Sequence, residues 1–291
     1  MALFNFHTHN HYCDGYFAPV IYVEEAIRQG FTDLGFSSHS PLPFENSFAI
    51  KNDEELVVYA DEIRALKLAY QDKINIHLGL EIDFIPGVTK PFNHFKTIAG
   101  LEYVIGGVHL INIKDHDDIW FIDGPRQETY DKGLKLLFGK DFQKAITAYW
   151  IQVREMISSQ KPDIVAHLDK IKMHNKNRYF HEDESWYEVQ LDDTLQLIKE
   201  TETIVEVNTR GIYKGRSDEL FPGIKALIKI HKLKIPITIS SDAHRPEELS
   251  GFYPQTLEIL KEIGFTELMI YSKSCWSELP IKTIKGRGIS G

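Results

Sequence analysis

Histidines and carboxylates recur at the ends of short apolar runs. The first run is Phe4-Asn5-Phe6-His7-Thr8-His9 and the last is Ile237-Thr238-Ile239-Ser240-Ser241-Asp242-Ala243-His244. Between them lie Ser37-Ser38-His39, Leu78-Gly79-Leu80-Glu81, Gly106-Gly107-Val108-His109 and Ile164-Val165-Ala166-His167. Side chains two residues apart on a strand share a face, so His7 and His9 can bind one ion, and Asp242 and His244 repeat that geometry. Glu81, a charged residue after an apolar run, sits where an unpaired carboxylate is costly to bury. A metal ion removes that cost. Imidazole and carboxylate donors without thiolates suit zinc, iron or manganese and argue against a closed structural zinc site.

Such a site needs elements that bring the run ends together. Strand-like runs at 3–8, 33–38, 74–84, 103–111, 164–168, 203–208, 235–240 and 267–271 alternate with helix-like stretches at 21–29, 53–69, 141–159, 185–199, 218–231 and 254–263. This βαβ alternation predicts an α/β fold with a parallel sheet, and its extent favours a closed or nearly closed barrel, whose strand ends converge on one face. No glycine-rich phosphate loop follows the first strand, and no internal repeat is evident. Irregular stretches at 40–51, 112–140 and 170–184 each follow a ligand-bearing strand and would overlie the site. The reading is one barrel domain over residues 1–280, with 281–291 a loose tail.

The bulk numbers agree. A chain of 291 residues with 43% hydrophobic and 26% charged residues can build one sizeable core. Its net charge of -9 argues against gripping nucleic acid through phosphates as the main task. A small anionic substrate remains compatible, because bound cations add local positive charge that the count omits. The two cysteines, Cys13 and Cys275, have no paired spacing, which points to a reducing compartment. With no signal-peptide pattern and no apolar run near the roughly 20 residues of a membrane span, the expected location is the cytoplasm.

Other residues invite weaker readings. His11 is placed in a loop beside the site, His77 inside a strand as a packed histidine, and His94, His116, His174, His181 and His231 as solvated or locally bonded. Cys13 is read as a small packed residue. Arg210, after Glu206-Val207-Asn208-Thr209, follows a strand end and can clamp a phosphate in bidentate fashion. The plain alternative is an exposed loop arginine. Lys214 and Arg216 are neighbouring cations, and Asn208 is placed to orient substrate or ligands.

The order His7-Thr8-His9, Asp14-Gly15, Ser38-His39, Gly79-Leu80-Glu81, Gly107-Val108-His109, Ala166-His167 and Ser241-Asp242-Ala243-His244 resembles the polymerase and histidinol phosphatase (PHP) superfamily over nearly the whole chain. Ser38-His39-Ser40-Pro41-Leu42-Pro43, Gly79-Leu80-Glu81-Ile82-Asp83 and Glu206-Val207-Asn208-Thr209 are most similar to its monofunctional histidinol-phosphate phosphatases. The resemblance implies a distorted (β/α)7 TIM-like barrel with two or three divalent transition-metal ions (zinc, iron or manganese) at the carboxyl ends of the strands. It implies one ion on His7, His9, Glu81 and Asp242, a second on Glu81, His109 and His167 with Glu81 bridging, and a third on Asp14, His39 and His244. Many of these phosphatases carry a histidine where this chain has Asp14, which leaves the third ion's identity open.

The implied activity is hydrolysis of L-histidinol phosphate, a small phosphorylated metabolite, to L-histidinol and phosphate in histidine biosynthesis. Paired ions held about 3.5–4 Å apart would activate a water as the nucleophile and stabilise the phosphoryl oxygens. Arg210 would hold the phosphate, with Asn208 and Lys214 as further substrate contacts, and Asp242 or His244 would protonate the leaving alkoxide, water on the third ion being the alternative. The competing readings are a PHP phosphoesterase acting on another small phosphate ester or a nucleic-acid end, and a non-catalytic metal-binding module. All nine implied ligand positions are filled, which weighs against the last.

Overall fold

The computed structural model describes residues 2–112, 119–139 and 141–284. In chain order the elements are β1 (Phe4–Asn5), α1 (Pro19–Gln29), β2 (Asp33–Phe36), α2 (Asp53–Ala69), β3 (Asn75–Asp83), α3 (Phe92–Ala99), β4 (Tyr103–Gly107), β5 (Leu110–Asn112), β6 (Ile119–Phe121), α4 (Gln127–Phe138) and α5 (Phe142–Gln160). They continue with β7 (Ile164–Val165), α6 (Ser185–Thr201), β8 (Ile204–Asn208), α7 (Arg210–Tyr213), α8 (Ile224–Leu233), β9 (Ile237–Ser240), α9 (Tyr253–Ile263), β10 (Glu267–Ser272) and β11 (Cys275–Pro280).

Seven strands form one sheet in the order β1-β2-β3-β4-β7-β8-β9, each neighbouring pair parallel. The seam between β9 and β1 is bridged at Thr8 and Ala243, where the His9 N–H donates to Ala243 at 2.8 Å and the Ala243 N–H donates to His7 at 3.1 Å. The result is a nearly closed seven-stranded barrel, as expected. Its strands are buried on both faces, which is why they read as apolar runs without alternation. Helix boundaries follow local chemistry. Asn52 caps α2 by accepting from the Glu55 N–H, with three acidic residues in the first turn, and Gly30 ends α1 at φ 83°.

Three expectations need correction. The eighth strand candidate, 267–271, does not enter the barrel: β10 pairs antiparallel with β11. The run 103–111 is two strands, because the chain leaves the barrel after Gly107 and β5 pairs with β6 in a separate hairpin. The stretch 112–140 is not irregular throughout, since it contains β6 and α4. The expected tail is described only to Ile284, which bridges Ala2 and is 7% exposed. Its remainder and His116 lie outside the described residues.

Alternate residues of β3 run along the barrel interior and set its contents. Near the amino end, His77 packs its ring against Tyr271 with centroids 5.3 Å apart. Next, Gly79 leaves room for Tyr103: a Cβ there would lie 2.2 Å from the phenol carbon Cζ. The Tyr103 hydroxyl donates to the Phe6 carbonyl at 2.6 Å. Glu81 and Asp83 follow, at the carboxyl end. Aromatic side chains thus fill the lower barrel and leave the upper end to polar groups.

Candidate metal centre

Each implied ligand comes from the carboxyl end of a barrel strand. His7 and His9 follow β1, with Asp14 in the next turn. His39 lies just past β2, and Glu81 is inside β3. His109 is at the bend after β4, His167 two residues beyond β7, and Asp242 and His244 just past β9. Eight of the nine are buried, and Asp14 is partly exposed. Two ends are turned by left-handed backbone at non-glycine residues, His167 at φ 26° and Asp242 at φ 51°. Such conformations persist where the surrounding structure enforces them, often at functional sites.

Glu81 is the hub. Its Oε2 lies 3.0 Å from His7 Nε2, 3.4 Å from His9 Nε2 and 3.3 Å from His39 Nδ1. Its Oε1 lies 3.1 Å from His167 Nε2 and 3.6 Å from His109 Nε2. The two oxygens thus address two separate sets of imidazoles, the arrangement a bridging carboxylate requires. Asp242 Oδ1 stands 3.2 Å from His9 Nε2 and 3.9 Å from His7 Nε2. Asp14 meets His244 Nε2 at 3.1 Å, His9 Nδ1 at 3.6 Å and His39 Nε2 at 4.0 Å. The third group is therefore looser: His9 lies nearer to Asp14 than His39 does, and His39 Nδ1 faces Glu81 and Asp83 at 3.3 and 3.2 Å.

The donor set fits metal ions on grounds internal to the structure. His109 Nε2 and His167 Nε2 face each other at 3.0 Å, although Asp83 takes the Nδ1–H of His109 and so leaves its Nε2 as an acceptor. Buried His9 Nε2, His39 Nδ1, Asp14 Oδ1 and Asp83 Oδ2 make no well-directed hydrogen bond, and buried polar atoms ordinarily do. Ligand atoms of His7, His9 and Asp242, of Glu81, His109 and His167, and of His9, Asp14 and His244 each lie within 4.8 Å of one another. A cation between them would satisfy the facing lone pairs.

Three supporting residues escaped the sequence reading. Glu206 Oε1 accepts from His7 Nδ1 at 2.5 Å, and its Oε2 accepts the His167 N–H at 2.7 Å. Asp83 Oδ1 takes His109 Nδ1 at 2.5 Å. Carboxylates in this role fix the ring tautomer and turn the other nitrogen's lone pair toward the ion. Both residues stood within stretches noted for their resemblance, but a carboxylate at a strand end carries no mark that separates a ligand from a ligand's support. The third is Lys170, buried beside the cavity.

The charges are strongly coupled. Burial alone would depress the His7 pKa, but Glu206, Glu81 and Asp242 together raise it well above the ordinary value. Burial and the neighbouring His244 depress His9 to about 3. Burial opposes ionisation of Glu81, yet His7, His39 and His109 hold it well below the usual carboxylate range. Asp242 is likewise held ionised against burial by His7 and Arg210.

A cavity of about 240 Å³ opens onto the cluster. Asp14, His39, Glu81, His109, Asp242 and His244 form its floor, and Phe48, Phe121, Asp123, Lys170, Arg210 and Arg216 its walls. Arg210 is not a loose loop residue: it starts α7, its side chain is 11% exposed, and Nη1 donates to the Asp242 carbonyl at 2.6 Å. The other expected substrate contacts lie elsewhere. Asn208 Nδ2 donates to Glu206 at 3.1 Å and to Asp242 at 3.2 Å, holding these two carboxylates rather than facing the cavity. Lys214 Nζ bonds Glu248 at 2.7 Å and is absent from the cavity wall. His11 is exposed and lies against Tyr12 with the rings tilted at 43°, and His77 bonds Asp33 at 3.1 Å.

A parallel barrel with a histidine and carboxylate cluster at the carboxyl ends of its strands defines a metal-site (β/α)-barrel protein. The PHP domain family matches residues 5–210, and the chain belongs to that family. A histidinol-phosphatase of Lactococcus lactis is 27% identical over 282 residues, covering 94% of this chain and 95% of the relative. The crystal structure of histidinol phosphate phosphatase from Lactococcus lactis, complexed with zinc, L-histidinol and phosphate, aligns with TM-score 0.65 at 23% identity. It covers 94% of this chain and 98% of that one. A candidate histidinol phosphatase from Listeria monocytogenes aligns with TM-score 0.74 at 21% identity, covering 87% of this chain and 99% of its own. Both structural likenesses establish the fold.

Proposed function

We propose that the protein is a metal-dependent phosphomonoesterase that hydrolyses L-histidinol phosphate to L-histidinol and phosphate. The observation that carries this reading is Glu81, whose two oxygens address two imidazole sets at the floor of a cavity walled by Arg210. The relatives named as histidinol-phosphatases, matched along nearly their full length, supply the substrate.

His7, His9, Glu81 and Asp242 would hold one ion, Glu81, His109 and His167 a second, and Asp14, His39 and His244 a third. Bound zinc, iron or manganese would lower the pKa of a water nucleophile and neutralise charge developing on the phosphoryl oxygens. Glu206 and Asp83 orient His7 and His109. Arg210, which also contacts the Asp242 carbonyl, binds the phosphate. Asp242 or His244, both on the cavity floor, would hand a proton to the leaving oxygen, with water on the third ion as the alternative. Residues 1–280 form the working barrel domain, acting on a small metabolite in the cytoplasm.

The test is phosphate release across a panel of phosphorylated metabolites, with metal analysis of the same sample. L-histidinol phosphate should have the highest kcat/KM. Preference for another small ester, or for a nucleic-acid end, would replace the substrate and keep the chemistry. A metal-loaded sample with no phosphatase activity would leave a binding module.

A further inference from the structure

A second buried cation reaches the cavity wall. Lys170 opens a short 3-10 turn, Lys170–Lys172, three residues after His167. It is 5% exposed and lines the same cavity as Arg210. Its Nζ lies 2.9 Å from Asp123 Oδ2, and among the described residues Asp123 is its ion-pair partner. An ammonium carries three donors, so one carboxylate leaves it unfilled. Asp123, beyond β6, is also on the cavity wall, and its buried Oδ1 has no hydrogen-bond partner. A pair serving only structure gains little at such a site, since burying two charges costs about what their attraction returns unless their remaining donors and acceptors are satisfied. Here they face the space a substrate enters.

The need for this cation follows from the state of Arg210. Its Nη1 is engaged by the Asp242 carbonyl at 2.6 Å and stands 3.7 Å from Glu248 Oε2. Part of its fork is therefore committed before substrate arrives. A monoester dianion presents three terminal oxygens, more than the remaining fork can cover. We propose that Lys170 is a second phosphate-binding residue, its ammonium positioned by Asp123 to meet the phosphoryl group that Arg210 also receives. This rests on the phosphomonoesterase reading. It adds a specificity consequence: two cations favour the dianion of a monoester over the monoanion of a diester.

The test measures inorganic phosphate binding to the zinc-loaded protein by titration calorimetry, with zinc content determined for each variant. Lys170→Met should weaken phosphate binding at least about 10-fold, the scale of one charge-assisted contact. Lys170→Arg, which keeps the charge, should stay within about threefold of wild type. The double variant Lys170→Met/Asp123→Asn leaves no unpaired charge and keeps the pair's net charge. It therefore carries the test if the single variant does not fold, and should show the same weakening. The monoester-to-diester ratio of kcat/KM should fall in both. Wild-type phosphate affinity in Lys170→Met or in the double variant would overturn the proposal and leave a structural ion pair. Phosphate binding that depends on Lys170 in a protein inactive toward L-histidinol phosphate would support it while removing the substrate reading. A wild-type protein that binds no phosphate would overturn both.

Discussion

Along one face of β3 the barrel changes character within seven residues. At its lower level His77 bonds Asp33 at 3.1 Å and packs on Tyr271, while the ring of Tyr103 occupies the space above Gly79. At its upper level Glu81 stands within 3.6 Å of five imidazoles, and Asp83 joins His39 and His109. Both levels bury histidine beside carboxylate, but the lower one pairs a single ring with a carboxylate and seals it with aromatic carbon. The upper one turns several nitrogens toward shared centres and leaves His9 Nε2, His39 Nδ1 and Asp83 Oδ2 clustered without well-directed partners, whereas at the lower level His77 Nδ1 lacks one singly, with Glu102 4.0 Å away. A buried polar group without a partner destabilises the fold. The contrast separates histidines that stabilise the fold from histidines held ready for a cation.

If that separation is right, damage to the two levels should differ in kind. Glu81→Ala should lower phosphate release from L-histidinol phosphate by about 1,000-fold or more, through loss of the shared ligand, while circular dichroism shows a folded barrel. Near-normal turnover with full metal content would contradict the hub role. Arg210→Ala should lower kcat/KM about 100-fold, as expected for loss of a charge-assisted contact of about 3 kcal/mol. A pH-rate profile matching wild type in height and shape would remove Arg210 from the phosphate site. Glu206→Gln keeps the size of a group that accepts from His7 and the His167 backbone. It should weaken metal binding about 10- to 100-fold in a competitive chelator titration. Unchanged affinity would show that Glu206 only fills space.

The same contrast marks what was legible in the sequence. The implied ligands stood out because a buried parallel strand is almost entirely apolar, so a histidine or carboxylate at its end breaks the pattern. His77 was separable from them because it lies inside the run rather than at its end. Glu206 and Asp83 broke the pattern equally, yet their supporting roles depend on which ring they reach across the barrel. Lys170 sits in a turn, where a lysine is ordinary, and only the fold places it on the cavity wall. The strand 267–271 had the expected composition, but its pairing was decided by β11, whose Trp276 packs against Phe6 with centroids 5.2 Å apart. Helix α4 was hidden in a stretch that opens with turn residues.

Damage to the lower level should appear as lost stability with the metals retained. Gly79→Ala places a methyl 2.2 Å from Tyr103 Cζ, and overpacking of this kind costs about 1–3 kcal/mol. Urea unfolding should show that loss while zinc content stays at the wild-type level. Unchanged stability would mean that Tyr103 has room to move, and loss of zinc would mean that the two levels are not separable.

The smallest effect distinguishes the two kinds of histidine by pH. Burial alone would lower the His77 pKa, but Asp33 and Glu102 outweigh it and raise it above the ordinary value. The facing groups are Asp33 at 3.1 Å, Glu102 at 4.0 Å and the ring of Tyr271, and Glu102 is itself paired with Lys67 at 2.6 Å. A raised folded-state pKa means that protonated His77 contributes stability. That contribution is fully present below the unfolded value of about 6.5 and is lost as pH rises through the folded value. The stability difference between wild type and His77→Gln in the metal-loaded protein should therefore be largest in mild acid and shrink as pH rises past neutral. Taking the difference cancels the titration of groups common to both proteins, and phosphatase activity at fixed pH should be nearly equal. A stability difference that stays flat across this range would show that His77 is buried neutral. A large loss of activity would place His77 in the same network as the imidazoles around Glu81.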